Sequence, residues 1–213
     1  MFLTNKALII DNFYKDPDMI RGLALRQEFL PMTHPERSGQ WPGLRSKFLN
    51  EINPRACEEF KDSLISNLLE GITIDYNCYF ETNFQLCYGD IGDSWVHFDH
   101  DGKWDITHVG LVYLNPDPPD NSGTIIYDFN KEHQPDMDAY SEKHNYLWHR
   151  LNRDQDSEEF KKWFTPSLNI PNKYNRAIIY NPWTWHKSDR YFGSTPETGR
   201  LTQPFFARIQ YNS

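Results

Sequence analysis

Trp95-Val96-His97-Phe98-Asp99 is the stretch on which the reading of this chain turns. In an extended strand, residues two apart point to the same side, so His97 and Asp99 face one way and Phe98 the other. A later run, Trp183-Thr184-Trp185-His186, supplies a second imidazole. Two histidines and one carboxylate on one face of a metal leave about three positions open, the 2-His-1-carboxylate arrangement that suits non-haem iron(II). The third ligand must then come from a strand distant in sequence but adjacent in space, as a rolled antiparallel sheet allows. The adjoining His100-Asp101-Gly102 admits a register in which His100 or Asp101 is the ligand. Strand alternation favours His97 with Asp99, because His100 falls on the opposite face.

The surroundings of each residue sharpen the pattern. Arg200 opens Arg200-Leu201-Thr202-Gln203-Pro204-Phe205-Phe206-Ala207-Arg208-Ile209, which reads as a strand. An arginine fork is a natural bidentate partner for a carboxylate. Arg208 shares the parity of Arg200 but lies roughly 27 Å further along an extended strand at about 3.4 Å per residue, so the two do not serve one site. Lys187 and Arg190 are nearer His186 in sequence and fall in the loop leaving it. Tyr113 lies in Val112-Tyr113-Leu114-Asn115, with Ser122-Gly123-Thr124 soon after, and Tyr88-Gly89 precedes the ligand pair. His108 sits on a strand with no partner in register, and His144 and His149 are five apart, which does not stack them on one helix face.

Working outward, Ala7-Leu8-Ile9-Ile10 reads as a first strand. Asp16-Pro17 opens a helix to about Phe29, with Asp16 as cap and Pro17 in the first turn. Leu30 to Gly43, rich in Pro and Gly, reads as loop. Asn53-Pro54 opens a second helix to about Leu69, whose Phe60, Leu64 and Leu68 recur at helical spacing and stop at Gly71. From Ile72 the period changes to that of strands: Tyr76 to Tyr88, Ser94 to Asp99, Ile106 to Leu114, Thr124 to Phe129, Tyr174 to Tyr180 and Arg200 to Gln210, separated by Gly, Asp, Asn and Pro turns. Residues 130 to 173 interrupt them as a charged, helical insert. One domain over 1–213 is expected, with supporting helices at about 16–70 bracing the sheet.

Composition excludes several classes. The chain has 213 residues, 38% hydrophobic and 15% aromatic, which is globular and suits a sheet protein. A net charge of −8 gives no broad nucleic-acid footprint. Cys57, Cys78 and Cys87 form neither a disulfide framework nor a C-x-x-C metal motif, which fits a reducing cytoplasm. Met1 to Lys6 lacks the apolar region of a signal peptide, and no run approaches a membrane span.

Taken together, Tyr88-Gly89, His97-x-Asp99, Tyr113-Leu114-Asn115, Gly123-Thr124, His186 and Arg200-x-Thr202 resemble, in order and interval, the prolyl-hydroxylase-like branch of the iron(II)- and 2-oxoglutarate-dependent dioxygenases. The tail from Tyr191-Phe192-Gly193 to Gly199-Arg200-Leu201-Thr202-Gln203 is also similar to uncharacterised phage and bacterial proteins of this type. The resemblance implies a double-stranded β-helix, the jelly-roll or cupin-like barrel, with helices outside. It implies iron(II) on His97, Asp99 and His186. It implies 2-oxoglutarate anchored by Arg200, with Tyr113, Thr202 and Tyr88 as neighbours, and stimulation by ascorbate. The implied reaction is hydroxylation by O2, with release of succinate and CO2, of a small molecule or a peptide or protein side chain. Asp99 favours hydroxylation over halogenation, since halogenating relatives lack this carboxylate. The chain departs from the pattern by some forty extra residues between Gly123-Thr124 and His186. Two other readings stay open: a non-redox cupin-like metal-binding module, and a metal-dependent hydrolase or isomerase on the same barrel.

Overall fold

In the computed structural model, which describes residues 2–31, 41–92, 94–99, 105–130 and 155–211, the two expected helices begin as their capping chemistry requires. The Asp16 carboxylate accepts from the Met19 amide at 3.0 Å, and α1 (Pro17–Leu25) follows with Pro17 in its first turn. It ends short of the expected Phe29, where the Arg26 amide turns back to the Leu23 carbonyl. A short α2 (Leu49–Ile52) leads to Asn53, which accepts from the Ala56 amide at 3.1 Å and starts α3 (Pro54–Leu69). Left-handed Glu70 and Gly71, at φ 36° and 82°, stop it.

The strands are β1 (Phe2–Leu3), β2 (Ala7–Asp11), β3 (Leu30–Pro31), β4 (Leu44–Phe48), β5 (Tyr76–Cys87), β6 (His108–Tyr113), β7 (Thr124–Phe129), β8 (Phe164–Ile170), β9 (Arg176–Tyr180), β10 (His186–Ser188) and β11 (Arg200–Tyr211); α4 (Glu158–Trp163) precedes β8. They form an eight-stranded sheet in the order β1-β2-β9-β6-β11-β5-β4-β3 and a three-stranded sheet in the order β10-β7-β8. Every pairing is antiparallel.

Strand alternation divides the large sheet into two faces. Outward-pointing Phe84, Leu86, Val112, Leu114, Ile179, Leu201 and Phe205 pack under Phe60 and Leu64 of α3 and Ile20 of α1. Their inward neighbours Val109, Tyr113, Ile178 and Tyr180 meet Ile126 and Ile170 of the small sheet. A third cluster, Val96, Tyr127, Phe160 and Phe164, covers the far face of the small sheet under α4. Two antiparallel sheets closed over an apolar filling, braced by helices, make a jelly-roll double-stranded β-helix.

Several expectations need correction. Ser94 to Asp99 is not a regular strand: only His97 bridges, to His186. Phe164–Ile170, read as part of a helical insert, is a strand of the small sheet, and only Glu158–Trp163 of the described insert is helix. Its exposed polar residues Thr165, Ser167 and Asn169 hid the strand pattern, because as the sheet's edge it buries little beyond its two ends. Leu30–Pro31, read as loop, pairs with β4. His100, Trp104, and Tyr140, His144 and His149 of the insert lie outside the described residues.

The β2–β9 pairing is clamped where Asp11 opposes Arg176. Asp11 accepts from Arg176 Nε at 2.6 Å and Nη2 at 3.2 Å, and from Lys173 Nζ at 2.7 Å. Chiefly through the Arg176 hydrogen bonds, its carboxyl is held down at about 2. A folded-state value below the unfolded one stabilises the protein above about pH 4, and that contribution is lost as pH falls towards 2. Asp11→Asn should therefore lower stability by about 1–2 kcal/mol at pH 7, allowing for partial exposure. The difference from wild type in urea unfolding should shrink towards zero by about pH 2.

Candidate metal and anion site

His97 and His186 come together through a single hydrogen-bonded pair of backbones. The His97 amide donates to the His186 carbonyl at 2.9 Å and the His186 amide to the His97 carbonyl at 2.8 Å. Residues opposed in this way project to the same side, and their rings lie 4.4 Å apart. Asp99 is held one step on, its amide donating to the Pro182 carbonyl at 2.9 Å. Its carboxylate lies 3.7 Å from His97 Nε2 and 3.4 Å from His186 Nε2. Phe98 points away, as alternation requires, and packs edge-on against Trp185 at 4.7 Å. The aromatic residues flanking the ligands thus pin the short bridge to the small sheet.

The imidazole tautomers are fixed by geometry. Nδ1 of His97 donates to the Trp95 carbonyl at 3.0 Å and Nδ1 of His186 to the Thr184 carbonyl at 2.9 Å. Both Nε2 lone pairs are left facing Asp99, as metal-bound histidines require. Burial, and then His97 beside it, push the His186 imidazole down to about 4, against the pull of Asp99, so it is neutral at physiological pH. The candidate ligand atoms of His97, Asp99 and His186 lie within 4.8 Å of one another. Metal–ligand bonds of about 2.0–2.2 Å at right angles would set neighbouring donors about 3 Å apart, so a small contraction closes the site on a divalent ion.

Deeper between the sheets, register sets out a second group. Arg200 opposes Cys87, and Thr202 opposes both Gln85 and Tyr113, so Arg200, Thr202 and Tyr113 share the inner face. Arg200 is 2% exposed. Its Nε donates to the Ser122 carbonyl at 3.2 Å and its Nη2 to the Gly123 carbonyl at 3.3 Å. The guanidinium carbon stands 5.6 Å from the centre of the Tyr113 ring. Gly123 is required there: a Cβ would lie 2.0 Å from the Ile170 carbonyl oxygen. The Tyr113 hydroxyl bonds to Thr124 Oγ1 at 2.7 Å. Among the described residues no carboxylate pairs with Arg200 and the buried Thr202 hydroxyl has no hydrogen-bond partner. A buried cation without counter-charge beside a spare hydroxyl is costly unless an anion completes it. These groups fit a bound carboxylate.

Of the residues anticipated from sequence, the structure brings together His97, Asp99 and His186, and separately Arg200, Thr202 and Tyr113. Tyr88 stands apart. It follows inward-facing Cys87, so it turns to the outer side, packs at the edge of the helix-covered core and feels Glu197 and Asp90. Arg208 approaches Asp105 at 3.7 Å, far along β11 from Arg200. His108 contacts Thr107 at 2.8 Å. Sequence reasoning missed Cys87, wedged beside Arg200, and Tyr180, against His186. The parity of β5 and β9 was the available signal for both.

The family profile described as a family of unknown function, DUF6445, matches residues 3–207. The chain belongs to the DUF6445 family. No curated protein matches it in sequence. Among solved structures, this DUF6445 member is similar to HygX from Streptomyces hygroscopicus with nickel and 2-oxoglutarate bound. The TM-score is 0.57 at 15% identity, over 97% of this chain and 87% of the other. It is similar to a Trichoplax adhaerens prolyl hydroxylase in complex with a hypoxia-inducible factor peptide fragment, with TM-score 0.55 at 12% identity over 95% and 84%. It is also similar to a Pseudomonas putida prolyl-4-hydroxylase, with TM-score 0.52 at 14% identity over 96% and 93%. The DUF6445 chain therefore has the fold of the 2-oxoglutarate oxygenases, with prolyl hydroxylases among its neighbours.

Proposed function

We propose that the protein is an iron(II)- and 2-oxoglutarate-dependent dioxygenase that hydroxylates a substrate not yet identified. The observation that carries this reading is the pairing of two groups inside one barrel: the His97, Asp99 and His186 cluster, and buried Arg200, which has no counter-charge among the described residues. Iron(II) would be held by the Nε2 atoms of His97 and His186 and by the Asp99 carboxylate. When bound, the metal and 2-oxoglutarate supply oxygen activation coupled to decarboxylation, yielding succinate, CO2 and a hydroxylated product.

The protein's share is positioning. Arg200 forks the distal carboxylate of the oxo acid, while the Thr202 hydroxyl donates to the same end. Tyr113, whose phenol burial keeps protonated, adds a second hydroxyl at that end. Neutral His186 competes for the metal without first losing a proton. HygX has been solved with hygromycin B and the Trichoplax enzyme with a peptide, and both small-molecule and peptide substrates are compatible with this site. A hydrolase or isomerase on the same triad has no use for a fixed dicarboxylate anchor. No described helix is long and apolar enough to cross a membrane, and Cys57, Cys78 and Cys87 are free; the cysteines fit a cytoplasmic setting.

The test is succinate formation from 2-oxoglutarate in the presence of iron(II), O2 and ascorbate. Metal-dependent succinate release supports the reading, and its absence at full iron occupancy rejects it. Tyr113→Phe should weaken 2-oxoglutarate binding roughly fivefold, or about 1 kcal/mol. Unchanged affinity in a binding titration would remove Tyr113 from the anchor.

A further inference from the structure

Tyr180 ends β9 in the interior, and the reading above leaves it without a task. Register sets it opposite Val109 on one side and Ala7 on the other, and it shares the inter-sheet filling with Ile178 two residues back. Its side chain therefore enters the barrel. The ring lies 4.7 Å from that of His186, tilted by 53°, and the residue is 6% exposed. Tyr113 of the anion anchor belongs to the same inter-sheet filling, and the charges of both Asp99 and Arg200 act on the Tyr180 hydroxyl, so the residue neighbours the triad and the anchor alike. Among the described residues that hydroxyl has no hydrogen-bond partner.

A tyrosine in an apolar filling normally turns its O–H to a polar partner. Phenylalanine would fill the same space between Val109, Ala7 and Ile178, so the packing alone gives no reason for the hydroxyl. A phenol hydroxyl is a donor throughout physiological pH. A donor with no partner in the protein, on a ring that packs against His186, is placed for an oxygen that arrives with a ligand.

We infer that Tyr180 is a third binding residue for the oxo acid, its hydroxyl donating to an oxygen at the end beside His186 while Arg200 holds the other end. This rests on the function proposed above. Tyr180 then reports whether the keto-acid end is seated, separately from the grip of Arg200.

Tyr180→Phe in the full chain tests this through three measurements. Without ligand, its melting temperature should equal that of wild type, because the hydroxyl it loses bonds to none of the described residues. Nickel(II) affinity, measured with the metal alone, should be unchanged. In anaerobic iron(II) protein, 2-oxoglutarate should bind roughly fivefold to tenfold more weakly, with the metal-to-ligand absorption band displaced. Ile178→Val, a packing change beside it, should lower the melting temperature without displacing the band. A band and affinity matching wild type would overturn the inference and leave the function standing. A lower melting temperature in ligand-free Tyr180→Phe would assign the hydroxyl to the fold instead. Wild-type protein that binds no 2-oxoglutarate would remove the function and the inference together.

Discussion

Asp99→Ala should abolish metal-dependent succinate formation and weaken iron(II) or nickel(II) binding roughly a hundredfold or more, while leaving the protein folded. Among the described residues the carboxylate contacts only His97 and His186. It lies 18% exposed at the side chain, and its backbone contact to Pro182 survives the substitution. His97→Ala, a half-exposed change, should behave alike. His186→Ala should cost the same activity and some stability too, because its buried ring fills space against Tyr180. His100→Ala is the control, and it should be mild. Full loss in His100→Ala with an active Asp99→Ala would mean that the ligand pair is shifted in register.

Arg200→Ala should weaken 2-oxoglutarate binding on the order of a hundredfold, about 2.7 kcal/mol, and Arg200→Lys should fall between it and wild type. Lysine keeps the charge but cannot hold the Ser122 and Gly123 carbonyls while offering two parallel donors to a carboxylate. Metal affinity should survive both changes, since Arg200 is no ligand. Isothermal titration of the two variants, with nickel(II) in place of iron, separates these effects. Wild-type affinity in Arg200→Ala, with loss in Arg208→Ala, would place the anchor on the other arginine of β11.

The convergence of His97, Asp99 and His186 was legible because strand alternation is a strong rule, and it held for side-chain direction even where the strand itself did not form. His97 and Asp99 share a side although only His97 is bridged. The caps at Asp16 and Asn53 were readable from local chemistry alone. β8 was not, because an edge strand with exposed Thr165, Ser167 and Asn169 has no apolar period to detect. Tyr88 shows the opposite failure. A motif placed it at the site, but its neighbour Cys87 points inward, so alternation turns Tyr88 to the other side. Tyr180 and Cys87 escaped notice because their meaning comes from which strands lie opposite them, and pairing between β5 and β11 or β9 and β6 is long-range information.

The most direct test of 2-oxoglutarate binding at the His97, Asp99 and His186 site is an anaerobic titration of 2-oxoglutarate into the iron(II)-loaded wild-type protein, followed by visible absorption. A metal-to-ligand charge-transfer band should appear, saturate at one equivalent, be absent in Asp99→Ala, and require far higher ligand concentration in Arg200→Ala. A wild-type protein that binds iron at this site yet develops no band at any 2-oxoglutarate concentration would contradict that binding.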